Sequence, residues 1–276
     1  MTGRRAGVMD TILLVGEQLN SSRPEARRIF AERDGAALLS LARSQVEGGA
    51  SLVDLNAAML MDGEGDALRW GGRLLRESLG ASIVFDGSDE SLLVRLAAEF
   101  GAGCVVNSLS CDDETLVPAL AALARTGAGA VVMLKSRAGV PASSDGRVAL
   151  ADLAVRRASE AGIAPDRIFL DPVIMPAATS PDGSLAALET LRTLAARHPG
   201  YGRIAGLSNV SYGLPERALV NRTFAAMLVS AGATALVCDT TDRELARSLA
   251  AASAIAGVDP GCKRYLRAFR ERRERA

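Results

Sequence analysis

The chain repeats one pattern eight times. Short apolar runs rich in β-branched residues stand at 12–15, 51–55, 82–85, 104–106, 130–134, 167–170, 203–207 and 235–238, and each has the length of a strand. Between them lie stretches with apolar residues three and four apart, among them 36–47, 116–125, 150–161, 185–196 and 221–231. That is the period of an amphipathic helix. Glycines follow many of these stretches: Gly48 and Gly49, Gly101, Gly127 and Gly129, Gly162, and Gly232. Glycine is the residue that most easily ends a helix in the left-handed conformation. From strand to strand the spacing is about 32 residues, the size of one βα unit. Eight such units within 276 residues, with no Pro/Ser-rich linker, predict one α/β domain, a (β/α)8 TIM barrel. An open doubly wound sheet is the alternative. It usually carries a GxGxxG turn after its first strand, and here that turn reads Gly16-Glu17-Gln18-Leu19-Asn20. The barrel core is expected over about residues 12–258 and a basic C-terminal helix over about 260–275, within a single domain of 1–276.

Composition removes several kinds of chemistry. Lys and Arg number 32, Asp and Glu also 32, so no global field attracts nucleic acid. No apolar run reaches the roughly 18 residues of a membrane span. The single histidine, His198, excludes sites that need two imidazoles. It stands in Arg197-His198-Pro199-Gly200, where the end of a helix is expected to leave it facing solvent. Cys104, Cys111, Cys238 and Cys262 form no CxxC pair and no zinc spacing. With no signal peptide in view they read as reduced thiols of a cytoplasmic protein.

In a barrel of this kind, reactive groups project from the C-terminal ends of the strands. Here those ends carry Glu17 and Asn20, Asp54 and Asn56, Asp86, Asn107 and Ser108, Lys135, Asp171, Ser208 to Ser211, and Asp239 with Asp242. Any one of these could be a helix cap or turn residue. A whole ring of carboxylates and carboxamides on one face suits a flat heterocycle rich in hydrogen bonds. A carboxylate can meet two adjacent N–H groups in a charge-assisted pair, and a pterin offers such an edge, an amino group beside a ring N–H. A phosphorylated substrate would ask instead for a glycine-rich loop or clustered cations. A divalent metal at Glu17, Asp54 and Asp86 stays open on spacing alone, although the many Asn residues suit it poorly, and none is expected.

Seven segments in order now carry a resemblance: Val15-Gly16-Glu17-Gln18-Leu19-Asn20, Val53-Asp54-Leu55-Asn56, Phe85-Asp86, Val106-Asn107-Ser108, Leu170-Asp171-Pro172-Val173-Ile174-Met175-Pro176, Gly206-Leu207-Ser208-Asn209-Val210-Ser211 and Asn221-Arg222-Thr223-Phe224. From about residue 12 to residue 258 the chain resembles the pterin-binding methyltransferases, in particular methyltetrahydrofolate:corrinoid protein methyltransferase. The resemblance implies a barrel that binds tetrahydrofolate or 5-methyltetrahydrofolate and exchanges the N5 methyl with the cobalt of a corrinoid protein. It implies that Asp86, Asn107 and Asp171 bind the pterin ring, that Asn209 reaches N5 as the catalytic residue, and that Arg217 faces the folate side. Glu17, Asn20, Asp54, Asn56 and Ser208 complete the expected pocket. It also implies a homodimer. No Asp-x-His-x-x-Gly motif is present, so the cobalamin is expected on a separate corrinoid partner.

Some positions depart from the family pattern: Gln18 for Arg, Ala57-Ala58 for Gly, Gly87-Ser88-Asp89 for Ser-Thr-Asn, and Tyr212-Gly213 for a polar pair. Two alternatives stay open. A dihydropteroate synthase needs cationic anchors for a pyrophosphate, and Ser208-Asn209-Val210 and Asp239-Thr240-Thr241 stand where that family has them. A non-catalytic folate-binding subunit would share the pterin pocket. Methionine synthases hold zinc with Cys, and the cysteines here are scattered. The basic tail at 263–273 has two readings: a helix that packs Leu266 and Phe269 on the barrel while its arginines snorkel, or a dock for an acidic partner.

Overall fold

A computed structural model describes residues 12–275. β1 (Leu13–Asn20) is followed by α1 (Pro24–Glu32) and α2 (Gly35–Glu47), β2 (Leu52–Asn56) by α3 (Glu64–Leu79), β3 (Ser82–Asp86) by α4 (Glu90–Phe100), and β4 (Cys104–Ser110) by α5 (Asp113–Ala124). Then β5 (Gly129–Met133) leads to α6 (Ser144–Glu160), β6 (Ile168–Asp171) to α7 (Gly183–Arg197), β7 (Gly202–Gly206) to α8 (Arg217–Ser230), and β8 (Ala235–Cys238) to α9 (Arg243–Ile255) and α10 (Lys263–Arg275). The strands pair in sequence order, all parallel, and β1 closes on β8. The expected (β/α)8 barrel is therefore what the chain forms.

Side-chain alternation explains the core and the site together. Val15, Leu52, Val84, Val131, Phe169, Ile204 and Ala235 form one apolar cluster, the filling of the barrel. The intervening residues, such as Val53, Leu55, Ile83, Phe85 and Val106, pack outward against the helices in a larger core. Two residues beyond the inward apolar layer come Glu17, Asp54, Asp86, Asn107 and Asp171. The period of two thus carries them to the inner face at the barrel mouth.

One break in that period matters. Leu19 pairs with Leu55 and Asn20 with Asn56, although Gly16 pairs with Val53, so β1 holds one extra residue beside Asp54. Such a bulge turns the rest of a strand over. Leu19 consequently joins the outer core, and Asn20 shares the inner face with Glu17. A similar slip separates Asn107 from Leu109 on β4.

The helix ends follow the local chemistry. Asp34, Asp89, Ser143 and Asp242 accept backbone N–H groups at the starts of α2, α4, α6 and α9. Gly49 and Gly232 take φ of 105° and 94°, a conformation that β-carbon-bearing residues resist.

Two expectations for the outer layer need correction. His198 does not face solvent: its side chain is 15% exposed, with Nε2 2.8 Å from Asp152 Oδ1 and its ring edge-on to Tyr201. It ties the end of α7 to α6, far from the strand ends. The tail is helical, but Leu266 and Phe269 remain 44% and 45% exposed. α10 is seated at its start, where the Asp259 carboxylate accepts the Arg264 and Tyr265 N–H groups.

Candidate active site

The mouth is organised by pairs of neighbouring strands. On β2, Asn56 donates Nδ2 to Asp86 Oδ2 of β3 at 2.7 Å and accepts the Ala58 N–H. Asn56 is thus committed to holding Asp86 in place. Burial pushes the Asp86 carboxyl up to about 6, against the Asn56 and Gly87 N–H groups that lower it, while the negative charge of Glu64 raises it further. Asp54 is enclosed deeper between β1 and β3, and its Oδ1 has no partner. Burial first, then the charges of Asp86 and Glu17, hold its pKa well above the carboxylate range, and Asn107 pulls it back in part. Asp54 therefore resists ionisation at the floor of the mouth.

On the opposite side, Asp171 ends β6 and accepts the Val173 N–H at 2.7 Å. Burial pushes this carboxyl up to about 6, while Val173, Arg147 and Lys135 draw it down. Burial thus leaves Asp86 and Asp171 with carboxyls raised to about 6, on opposite sides of the mouth.

The third group joins β7 to β1. Ser208 donates its hydroxyl to Glu17 Oε1 at 2.5 Å, and burial followed by the charge of Asp239 raises the Glu17 pKa against that bond. Asn209 closes a single 3-10 turn, Leu207–Asn209, and is exposed at the rim. A β-carbon on Gly206 would lie 3.0 Å from Asn209 Nδ2, so glycine there leaves the amide its place. Arg217 opens α8 and donates to Ser208 O at 2.8 Å and Ser211 Oγ at 3.0 Å. Its guanidinium braces the loop that carries Asn209.

The remaining polar strand ends build turns. Asn20 Oδ1 accepts the Ser22 N–H. Asp242 caps α9 and is gripped by the Arg222 guanidinium, so it does not join the mouth. Gln18 is buried, and its N–H is bonded to Gln45 Oε1 of α2. Ser88, one of the departures from the family pattern, is bound through its N–H and hydroxyl by the buried Glu64. Cys104 and Cys111 are pushed up to about 11 and about 12 by burial, which leaves them inert as nucleophiles. Among the described residues no three His, Cys, Asp or Glu side chains converge to hold a metal ion, and no helix is long and apolar enough to cross a membrane.

Sequence reasoning did not find Arg147, Glu64 or Gln45. Each lies on a helix rather than a strand end, and each bonds the backbone of a loop or strand at the mouth. Only their burial, invisible in the sequence, marks them.

The fold and site define a closed (β/α)8 barrel with carboxylates and carboxamides gathered around its mouth. The profile of the family described as pterin binding enzyme matches residues 20–239, and the chain belongs to that family. It is 29% identical over 266 residues to the methylcorrinoid:tetrahydrofolate methyltransferase of Eubacterium limosum, covering 94% of this chain and 97% of that protein. To the methionine synthase of Mycobacterium leprae it is 26% identical over 228 residues, 78% of this chain but 19% of that protein. Among solved structures, a dihydropteroate synthase from Coxiella burnetii in complex with pteroic acid superposes with a TM-score of 0.69 at 18% identity, covering 91% of this chain and 96% of that one. That likeness speaks to the fold alone.

Proposed function

We propose that the chain exchanges a methyl group between N5 of 5-methyltetrahydrofolate and the cobalt of a separate corrinoid protein. The observation that carries this reading is the relationship to the Eubacterium limosum methyltransferase, which spans nearly the whole of both chains. In this reading the ionised Asp171 accepts two adjacent N–H groups of the pterin edge, and Asp86 and Asn107 hold the ring from β3 and β4. Asn209 stands at the open rim. As the methyl leaves, N5 keeps the bonding pair and becomes a better acceptor. An amide N–H turned towards it then binds the departing state more tightly than the ground state. The corrinoid, when bound, supplies the cobalt that gives or takes the methyl group. None of the chain's own side chains has to act as a nucleophile.

The charge pattern argues against a pyrophosphate-bearing substrate. The guanidinium of Arg217 is engaged by its own loop, and the buried Glu17 carboxyl, bonded to Ser208, stands where a pyrophosphate would want a cation. Calorimetric titration with tetrahydrofolate and 5-methyltetrahydrofolate, followed by methyl exchange with a corrinoid protein read from its visible spectrum, tests the proposal. Binding with exchange is expected. Binding without exchange leaves a folate-binding subunit, and absence of binding refutes the pterin pocket.

A further inference from the structure

Several arginines hold backbone carbonyls in this barrel, and Arg147, Arg167 and Arg203 each hold two or more. Arg167 donates to Leu123 O and Ala128 O, and Arg203 to Tyr201 O and Gly232 O. Both lie where strands begin, the end that a barrel devotes to stability. Arg147 lies at the other end, in the first turn of α6, and is 1% exposed. Its Nε donates to Pro141 O at 2.9 Å, and its Nη1 reaches Pro172 O at 3.0 Å, Val173 O at 3.3 Å and Gly183 O at 3.5 Å. One guanidinium thereby joins the loop before α6, the turn after β6 and the start of α7. Among the described residues it forms no ion pair. A buried cation satisfied by carbonyls alone is costly to keep.

What it holds is strained. Val173 has φ of 62°, a region a β-branched residue enters only under constraint. The Pro172 carbonyl that Arg147 grips shares its peptide plane with the Val173 N–H, which donates to Asp171 Oδ1, 2.7 Å away. The charged groups acting on Asp171 are Arg147, from α6, and Lys135, from the chain after β5. A cavity of about 330 Å³, lined by Pro141, Arg147, Met175 and Gly183 among others, adjoins the clamp. The turn therefore has space to relax once the clamp is gone.

We propose that Arg147 is a positioning residue for the pterin site: by gripping the carbonyls of Pro172 and Val173 it holds the left-handed turn that fixes Asp171. The inference rests on the reading that Asp171 meets the pterin. It separates Arg147 from Arg167 and Arg203, whose loss should affect folding without affecting the ligand.

The test compares full-length Arg147→Met, Arg147→Lys and Asp171→Asn with the parent by calorimetric titration of tetrahydrofolate between pH 5 and 8.5. In Arg147→Met the affinity at pH 7.5 should fall about tenfold, because the carboxylate loses both its geometry and its cation. The midpoint below which binding weakens should move up by about half a unit or more, because the lost positive charge favours the protonated acid. Arg147→Lys keeps the charge without the fork, so its affinity should fall with the midpoint unmoved. Unchanged affinity and midpoint in folded Arg147→Met, with lower stability alone, would reduce Arg147 to a core residue and overturn the proposal. Should Arg147→Met not fold, unchanged affinity in Arg147→Lys overturns it equally. If Asp171→Asn binds like the parent, the assignment of Asp171 fails, and the inference falls with it.

Discussion

Replacing Asp171 by Asn should make the unliganded protein more stable at pH 8 while loosening its hold on the pterin. Burial pushes the Asp171 carboxyl up to about 6 from the usual 3.8, and a shift of about two units corresponds to about 3 kcal/mol. The sign follows from proton binding. Below pH 3.8 the folded and unfolded carboxyls are both protonated, and Asp171 carries no pH-dependent cost. Between 3.8 and about 6 the folded protein binds more protons than the unfolded chain, so stability falls as pH rises. Above that window the full cost persists. Asn never ionises, and its Oδ1 can still accept the Val173 N–H that Asp171 takes at 2.7 Å. The stability of the variant relative to the parent should therefore widen by about 2 kcal/mol between pH 4.5 and pH 8. In melting temperature that is about 4 to 8 °C for a chain of this size. Urea denaturation at both pH values measures the difference, and comparing variant with parent at each pH cancels the titration of Asp86 and Asp54. Pterin affinity should move the other way, about ten- to a hundredfold weaker at pH 8 through the lost charge-assisted contact. The two proteins should converge near pH 5, where the parent is protonated too. An offset in stability that is the same at both pH values would refute the claim that Asp171 is held against its ionisation.

Three further outcomes are expected. Asn209→Ala should lower the methyl-transfer rate by about two to three orders of magnitude with the fold intact; stopped-flow rates equal to the parent's would remove Asn209 from the chemistry. Gly206→Ala places a β-carbon 3.0 Å from Asn209 Nδ2 and should cost about tenfold in rate with little change in folate affinity, so a parallel loss of affinity would mean that the loop as a whole has moved. Truncation after Asp259 removes a helix whose Tyr265 and Leu266 are 39% and 44% exposed. It should shift the melting temperature by less than about 2 °C, and a larger drop by calorimetry would show that α10 is part of the barrel's packing.

How much of this was legible follows from where each residue acts. Glu17, Asp54, Asp86, Asn107 and Asp171 could be read because each sits on its own strand, and the period of two that buries Val15, Leu52, Val84 and Phe169 also points these residues inward. Asn20 shows the limit of that logic. Counted from Glu17, a strict alternation sends it outward; the extra residue in β1 returns it to the inner face, and a bulge leaves no local mark in an apolar strand. The helix end alone points His198 at solvent, whereas Asp152, 46 positions earlier, supplies the partner that holds it in. Arg147 is the hardest case. Its partners are carbonyls of Pro141, Pro172, Val173 and Gly183, and every residue type has a carbonyl, so no pairing of side chains could betray it. The one trace in the sequence is Asp171-Pro172-Val173, where a β-branched residue follows a proline in a turn that must bend back on the aspartate. A valine forced into the left-handed region needs something outside the turn to keep it there. In this barrel the group in place to do so is a buried guanidinium one helix away.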